Sequence, residues 1–259
     1  MPQKSNHVDF SNIELVKVAK EKIKPKKALL IVGFPGIGNV SKLAANYIID
    51  NLKLKRIYEI KSIDFPFLVI VDENDVPKEP TWEIYGGKIK HKYFDYIYVF
   101  TGDFVLEDTK TNNLMIKFLE NEFKRLNVKE IISFAGIATE SPKEKLYVLS
   151  NDKNKTKLIK KELNLDSELY GFVGYISGMN GAFLKTSITT VCFLIETYAI
   201  PYYQGITETK LLIEAINKSY KLKISVKDLE ENIQNIKKKI EEINKAETTK
   251  IEKTINYIG

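Results

Sequence analysis

The sequence predicts an α/β fold, with a doubly wound, mostly parallel or mixed sheet and helices on both of its faces. Predicted strands and helices alternate along most of the 259 residues, which is the pattern of such folds. The run Ala28–Val32 is continuously apolar, as expected of a strand that is buried on both faces. A loop with three glycines joins this strand directly to an amphipathic helix, which is a common opening of an α/β unit.

Segments rich in apolar and β-branched residues are predicted to be strands. In chain order these are Ala28–Val32, Arg56–Ile60, Phe67–Val71, Tyr96–Phe100, Glu130–Phe134, Leu146–Ser150, Tyr170–Ile176 and Ala199–Gln204. Segments whose apolar residues recur at helical spacing are predicted to be helices. These are Asn39–Leu52, Lys110–Leu126, Thr156–Leu163, Gly181–Tyr198 and Thr207–Lys221. The single cysteine, Cys192, falls in an apolar helix on this assignment and is expected to be buried.

The pattern changes between Val71 and Lys92. This stretch contains two prolines, the only tryptophan and a Gly86-Gly87 pair between two alternating segments. It predicts a β-hairpin inserted beside the main sheet, with the glycine pair at its turn. Trp82 and Tyr85 either pack in the core, which we favour, or are exposed for a partner.

The pattern changes again beyond Lys221. Apolar residues at spacings of three and four predict a C-terminal helix that packs on the body or on a neighbouring subunit. They are Val226, Leu229, Ile233, Ile236, Ile240 and Ile243. A polar stretch then leads to an apolar and aromatic cluster at Ile255–Gly259, which docks either on its own body or on another protein. We divide the chain into an N-terminal segment 1–27, an α/β domain 28–221, a helix 222–246 and a flexible tail 247–259.

The composition argues against several classes of function. The net charge is +6, and the 40 basic residues are interspersed with 34 acidic ones, as on solvated faces rather than nucleic-acid interfaces. No segment approaches the ~20 apolar residues of a membrane span, and the N-terminus lacks the apolar core of a signal peptide. With one cysteine, the sequence is interpreted as a cytoplasmic protein that binds neither nucleic acid nor membrane.

The glycine loop has two interpretations. Gly33 and Gly38 have the spacing of a P-loop, but Asn39 follows in place of the required lysine, so we exclude a Walker A site. The segment Gly36–Ser41 reads G-x-G-x-x-S, and Glu59 lies roughly where a ribose-binding acid would stand in a Rossmann fold. The alternative, which we favour, is that the glycines permit a sharp turn and close packing of the helix on the sheet.

No catalytic set emerges from the residue types. The two histidines, His7 and His91, stand in no metal-ligand pattern, and we predict no catalytic residue, metal or cofactor. Asp103 and Glu140 follow predicted strands at places where α/β enzymes carry functional groups, and they could share a pocket with Asn180. Their alternative roles, which we favour, are loop ordering and helix capping.

Three segments together resemble motifs of the PAC2 family, which includes the proteasome assembly chaperones and their archaeal homologues. The segments are Val32–Val40 (VGFPGIGNV, with Ala44-Ala45 after it), Thr101–Phe104 (TGDF) and Gly178–Leu184 (GMNGAFL). The matching motif residues are Gly33, Pro35, Gly36, Gly38, Asn39, Gly102, Asp103, Asn180 and Gly181. The resemblance implies a fold similar to nucleoside phosphorylases, without established catalytic activity in the chaperone members.

The resemblance also implies a homo-oligomer that engages 20S proteasome α subunits through its C-terminal tail, with Ile255, Tyr257, Ile258 and Gly259 as binding residues. The family pattern is a hydrophobic residue, tyrosine and any residue at the very end, whereas Tyr257 here is third from the end. The leading hypothesis is therefore a non-enzymatic proteasome assembly chaperone or adaptor. Two alternatives stay open: a nucleotide- or nucleoside-binding enzyme that uses Gly33–Gly38, and an oligomeric scaffold.

Overall fold

The computed structural model describes residues 10–20, 23–71, 74–166, 176–236 and 238. The chain divides into two compact units, residues 1–224 and 225–259. The first unit contains a large sheet and the helices that cover it. In the second unit, residues 227–236 and 238 are helical.

The main sheet is mixed, as the sequence predicts. In chain order the strands are β1 (Ile13–Lys17), β2 (Ala28–Gly33), β3 (Lys55–Ser62), β4 (Ile70–Val71), β5 (Pro77–Lys78), β6 (Trp82–Lys88), β7 (Tyr96–Gly102), β8 (Val128–Ala138), β9 (Leu146–Ser150) and β10 (Thr189–Thr197). The eight-stranded sheet has the order β1-β3-β6-β7-β2-β8-β10-β9, while β4 and β5 form a separate ribbon. The central strands β7, β2, β8 and β10 are parallel, and the flanking pairs are antiparallel.

Helices cover both faces of this sheet. They are α1 (Val40–Asn51), α2 (Thr109–Arg125), α3 (Lys153–Leu163), α4 (Gly178–Phe183) and α5 (Ile206–Tyr220), and a 3₁₀ turn, Ile37–Asn39, precedes α1. Leu30 and Val32 of β2 belong to one core cluster with α2 and α4. Because side chains alternate along a strand, Gly33 lies on the opposite face, where α1 packs against it. Four helix predictions, for α1, α2, α3 and α5, are confirmed to within a few residues.

Trp82 is fully buried, which confirms the core interpretation. Its ring centroid lies 5.0 Å from that of Phe34 and 5.6 Å from that of Phe100, both edge-on. Its indole Nε1 donates a 3.1 Å hydrogen bond to the carbonyl of Phe104, so the buried donor is satisfied. Tyr85 is half-buried, and its hydroxyl donates to Glu83 Oε2.

The predicted helix Gly181–Tyr198 is wrong. Helix α4 ends at Phe183, and the apolar run that follows is the parallel strand β10. This strand lies between β8 and β9 and is buried on both faces, so its sequence carries no period of two. Cys192 is buried in β10, and burial raises the pKa of its thiol to about 12.

Three other assignments also need correction. Residues 199–204 form a turn rather than a strand; Pro201 stands there, and Tyr202 has φ +63°. Of Phe67–Val71 only the last two residues are a strand, and Phe67 is fully exposed. The inserted hairpin is the β4–β5 ribbon, whereas Gly86 and Gly87 lie within β6 instead of at a turn.

The sequence interpretation also missed a strand in the N-terminal segment. Strand β1 pairs antiparallel with β3 at the sheet edge, with Ile13 opposite Ser62. The predicted strand Tyr170–Ile176 lies outside the described residues except for Ile176. His7, Ile240, Ile243 and the tail residues 255–259 lie outside them as well. Within the described part of the C-terminal helix, Leu229 is buried, Ile233 is half-buried and Ile236 is exposed.

Candidate functional site

The motif residues from distant parts of the sequence converge at one edge of the sheet. Strands β2, β7, β8 and β10 are parallel, so their carboxyl ends lie together, where α/β proteins place their sites. Gly33 ends β2 beside Thr101 of β7, whose hydroxyl donates a 2.7 Å hydrogen bond to the Gly33 carbonyl. The glycine loop and the start of α4 line a common cavity at this edge.

Two of the loop glycines allow close packing. A Cβ on Gly33 would overlap the Ser41 carbonyl and the Ala45 side chain, so Gly33 lets α1 approach β2. Gly38 has φ +62°, which favours glycine, and a Cβ there would overlap Thr197 Oγ1 and lie 2.9 Å from Thr197 Cγ2. A Cβ on Gly36 would meet nothing within 4 Å.

The connection between β10 and α5 covers the loop. The Gly205 amide donates a 2.9 Å hydrogen bond to the Gly38 carbonyl, and Asn39 Nδ2 donates at 2.9 Å to Gln204 Oε1. Glu208 is buried, and its Oε1 accepts hydrogen bonds from the hydroxyls of Thr197 and Tyr203, both at 2.9 Å. The Gly38 carbonyl and the Asn39 side chain are therefore engaged with the protein itself.

Burial, and then the hydrogen bond to Glu208, raise the pKa of the Tyr203 phenol above its usual value. Sequence reasoning missed the contributions of Thr197, Tyr203 and Glu208. A signal was present in Gly205-x-x-Glu208, since glycine at an N-cap followed three residues later by glutamate is typical of a helix start.

The strand order does not form the dinucleotide site that the Rossmann interpretation requires. A ribose-binding acid stands at the end of the strand next to the glycine-rich one. Glu59 lies on β3, and β6 and β7 separate β3 from β2. Its carboxylate lies instead 3.7 Å from the Lys61 ammonium. The structure therefore favours the packing role of the glycines over a dinucleotide site.

Asp103 orders two loops. Its Oδ2 accepts hydrogen bonds from the amide and hydroxyl of Thr81, at 3.0 and 3.3 Å, and its Oδ1 lies 3.3 Å from Lys42 Nζ. The same ammonium donates to the carbonyl of Gly102, where a Cβ would overlap Trp82. Glu140 is exposed and is not among the described residues that line the cavity, so the structure does not assemble a pocket from these carboxylates.

The cavity at this edge has a volume of about 520 Å³. The loop side contributes Phe34, Pro35, Gly36 and Ile37, and the other walls come from the carboxyl end of β8 and the residues around Gly178. Asn180 and Gly181 lie in α4, and Gly181 packs against the carbonyl of Ile176. The three predicted motifs are therefore neighbours, but their residues differ in role.

Within the described ranges, no three or more histidine, cysteine, aspartate or glutamate side chains cluster as a metal site would require. Within the same ranges, no helix combines the length and apolar character needed to cross a membrane.

This chain is similar in sequence to a known family and to a known archaeal protein. The family model described as "PAC2 family" matches residues 30–244. Uncharacterized protein MJ0106 of Methanocaldococcus jannaschii is 29% identical over 233 residues, covering 87% of this chain and 89% of that protein.

Solved structures of archaeal proteins share the fold. Pyrococcus furiosus PbaB, described as an archaeal proteasome activator, matches with a TM-score of 0.75 and 21% identity, covering 90% of this chain and 99% of that one. Pyrococcus furiosus PbaA, described as an archaeal homolog of proteasome-assembly chaperone, matches with a TM-score of 0.72 and 21% identity, covering 94% and 96%.

Proposed function

Since the chain belongs to the PAC2 family, we propose that it is a non-enzymatic proteasome assembly chaperone or proteasome-binding adaptor. It docks on 20S proteasome α subunits through its C-terminal tail and acts in the cytoplasm. The observation that carries this proposal is the family match over residues 30–244, supported by folds shared with an archaeal proteasome activator and a chaperone homolog.

The contacts that the motif residues make within the protein support the proposal that it is not an enzyme. Asp103 is bonded to Thr81 and Lys42, and the Gly38 carbonyl is bonded to Gly205. Family motifs that build a nucleotide site would present such groups to a ligand, whereas here they connect elements of the fold. The arrangement therefore favours an adaptor over the alternative of a nucleotide- or nucleoside-binding enzyme.

The tail supplies the proposed contact. Ile255, Tyr257 and Ile258 are large side chains in a stretch that is rich in polar residues. A short peptide that anchors two or three such side chains in pockets gains most of its binding energy from those anchors. Ile258 and Gly259 follow the tyrosine, and we propose a register in which both extend past the tyrosine pocket.

Removing Ile255–Gly259 tests the tail. We expect the truncated protein to lose most of its affinity for purified 20S proteasome in surface plasmon resonance, while its circular dichroism spectrum and melting temperature stay unchanged. Loss of a central tyrosine anchor costs about 2 kcal/mol or more, which is about thirtyfold in Kd, so Tyr257→Ala should account for much of the effect.

The neighbouring polar residue provides the control. Asn256→Ala should bind as the full-length protein does, since it changes the tail without removing an anchor. Unchanged binding after removal of all five residues would contradict tail docking. Equal losses for Asn256→Ala and Tyr257→Ala would contradict the anchor assignment.

We also propose that the protein is a homo-oligomer and that the C-terminal helix contributes to the subunit contact. Ile236 is 43% exposed on the described part of this helix, although it continues the apolar series of Leu229 and Ile233. Ile240 and Ile243 extend the same series. A helix with an apolar stripe gains stability when that stripe is covered, which a second subunit would do.

A further inference from the structure

We propose that the cavity at the carboxyl edge of the sheet binds a small amphipathic carboxylate, with an aliphatic or aromatic body and one anionic end. Its anionic end is bound by the Ser41 hydroxyl and the first turn of α1, and its body lies against the apolar walls. This site is separate from the tail and does not depend on the proposed proteasome contact.

Ser41 is the residue that points to a ligand. It lines the cavity, it is only 4% exposed, and its Oγ has no hydrogen-bond partner in the described structure. A buried hydroxyl without a partner costs free energy, so natural proteins nearly always satisfy such groups with protein, water or ligand. A ligand oxygen in the cavity would satisfy this one.

The start of α1 makes an acceptor, and above all an anion, the favoured partner. The first amides of a helix have no acceptor within the helix, and its dipole is positive at this end. Asn39, at the N-cap of α1, has a left-handed backbone with φ +53° and makes no side-chain capping bond; its Nδ2 donates to Gln204. The first turn also contains no acidic side chain that would compete with a bound anion.

The cavity walls define the rest of the ligand. Apolar side chains line it, among them Phe34, Ile37, Phe134, Ile137, Met179 and Leu194. Among its described lining residues the polar side chains are Ser41 and Ser177. A nucleotide needs several polar partners for its base, ribose and phosphate, which these walls do not offer. A volume of about 520 Å³ lies in the range of sites that bury drug-sized molecules.

Sodium octanoate is the probe, with 1-octanol as its uncharged match. We expect isothermal titration of the full-length protein to show saturable binding of one octanoate per chain and weaker binding of octanol. Adenosine monophosphate and inorganic phosphate test the competing chemistries of a nucleotide site and a bare anion site. Neither should compete with octanoate at equal concentration.

Two substitutions and one matched control locate the site. Ser41→Ala should raise the Kd of octanoate by about tenfold or more while changing the Kd of octanol little, because it removes a hydrogen bond to a charged group. Ala138 is exposed at the rim of the cavity, so Ala138→Phe should obstruct it and weaken both probes. Ser133→Ala removes a fully buried serine hydroxyl of strand β8, outside the described cavity lining, and should leave both Kd values unchanged.

Several outcomes would overturn the proposal. Octanoate and octanol that bind equally would show an apolar cavity without carboxylate recognition. A Ser41→Ala protein with wild-type octanoate affinity, or equal losses for Ser41→Ala and Ser133→Ala, would place the binding elsewhere. Micromolar binding of adenosine monophosphate that Ser41→Ala weakens would replace the carboxylate with a nucleotide. Absence of octanoate binding would mean that water alone satisfies Ser41. Because no proteasome is present, none of these results bears on the tail.

Discussion

Gly36 and Gly38 stand two residues apart in the same loop, but the structure predicts opposite responses to alanine. We expect Gly38→Ala to destabilise the protein strongly and Gly36→Ala to have almost no effect. The comparison is informative because a loop that uses its glycines to approach a phosphate would need both, whereas a loop that packs on its own protein needs only the glycine that makes the contact.

The expected loss in the free energy of unfolding for Gly38→Ala has two parts. Its φ of +62° costs a residue with a Cβ about 1–2 kcal/mol. The new Cβ would also overlap Thr197 Oγ1 and lie 2.9 Å from Thr197 Cγ2, and overpacking of this kind costs about 1–3 kcal/mol. Thr197 cannot rotate away freely, since its hydroxyl donates to the buried Glu208 carboxylate. The free energy of unfolding should therefore fall by about 2–5 kcal/mol.

Gly36 serves as the control within the loop. Its φ is −175°, in the extended region that any residue adopts, and a Cβ there would meet nothing within 4 Å. Gly36→Ala should leave the free energy of unfolding within about 0.5 kcal/mol, or raise it by up to about 1 kcal/mol because the unfolded chain loses freedom.

Urea unfolding at 25 °C, followed by circular dichroism at one fixed protein concentration, measures both variants. The midpoint should fall for Gly38→Ala with an unchanged slope, which identifies a loss of stability rather than a change of mechanism. A Gly38→Ala protein that unfolded at the wild-type midpoint, or a Gly36→Ala protein that was equally destabilised, would contradict the packing role of Gly38.

The remaining predictions concern a buried tyrosine and the subunit contact. Burial, together with the hydrogen bond to Glu196, raises the pKa of Tyr147 to about 12. The raised pKa therefore contributes fully to the free energy of unfolding below about pH 10, and this contribution is lost as the pH rises towards 12. In urea unfolding at successive pH values, the free energy of unfolding of Tyr147→Phe should fall less steeply over this window than that of the wild type. Tyr202 is exposed, so the free energy of unfolding of Tyr202→Phe should follow that of the wild type. A chain that ends at Ser225 keeps both hydrogen bonds between Asn217 and Ile224, and light scattering should show it as a monomer; an intact oligomer would exclude the C-terminal helix as the contact.

The sequence predicts the central parallel strands and the amphipathic helices because each carries a local pattern. Strand β2 is a short apolar run before glycine, and α2 places Met115, Leu119 and Phe123 on one buried stripe. The prediction fails at β10 for a physical reason. A strand covered on both faces has apolar residues at every position, so it cannot be distinguished from a buried helix by periodicity.

Glycine pairs also mislead when their partners lie far away in the sequence. Gly86 lies within β6, and glycine is needed there because a Cβ would lie 2.7 Å from Tyr96 Cε1 and 2.9 Å from Tyr98 Cδ1. The sequence shows the glycine but not the tyrosine rings that require it. The same holds for the candidate site, since Thr197 and Gly205 contact Gly38 but lie far from it in the sequence. The convergence of the three motifs could be expected from parallel strands, but the unpartnered Ser41 could not.

The closure of the glycine loop by Gly205 has a consequence for biosynthesis. During translation, strand β2, the glycine loop and helix α1 emerge long before the segment around Gly205 that covers the loop. At about 5–20 residues per second, roughly ten to thirty seconds pass between the synthesis of Gly38 and that of Gly205. Throughout that interval the Gly38 carbonyl lacks the amide that binds it in the folded protein. The loop can therefore complete its hydrogen bonding only after a late segment of the same chain has been made.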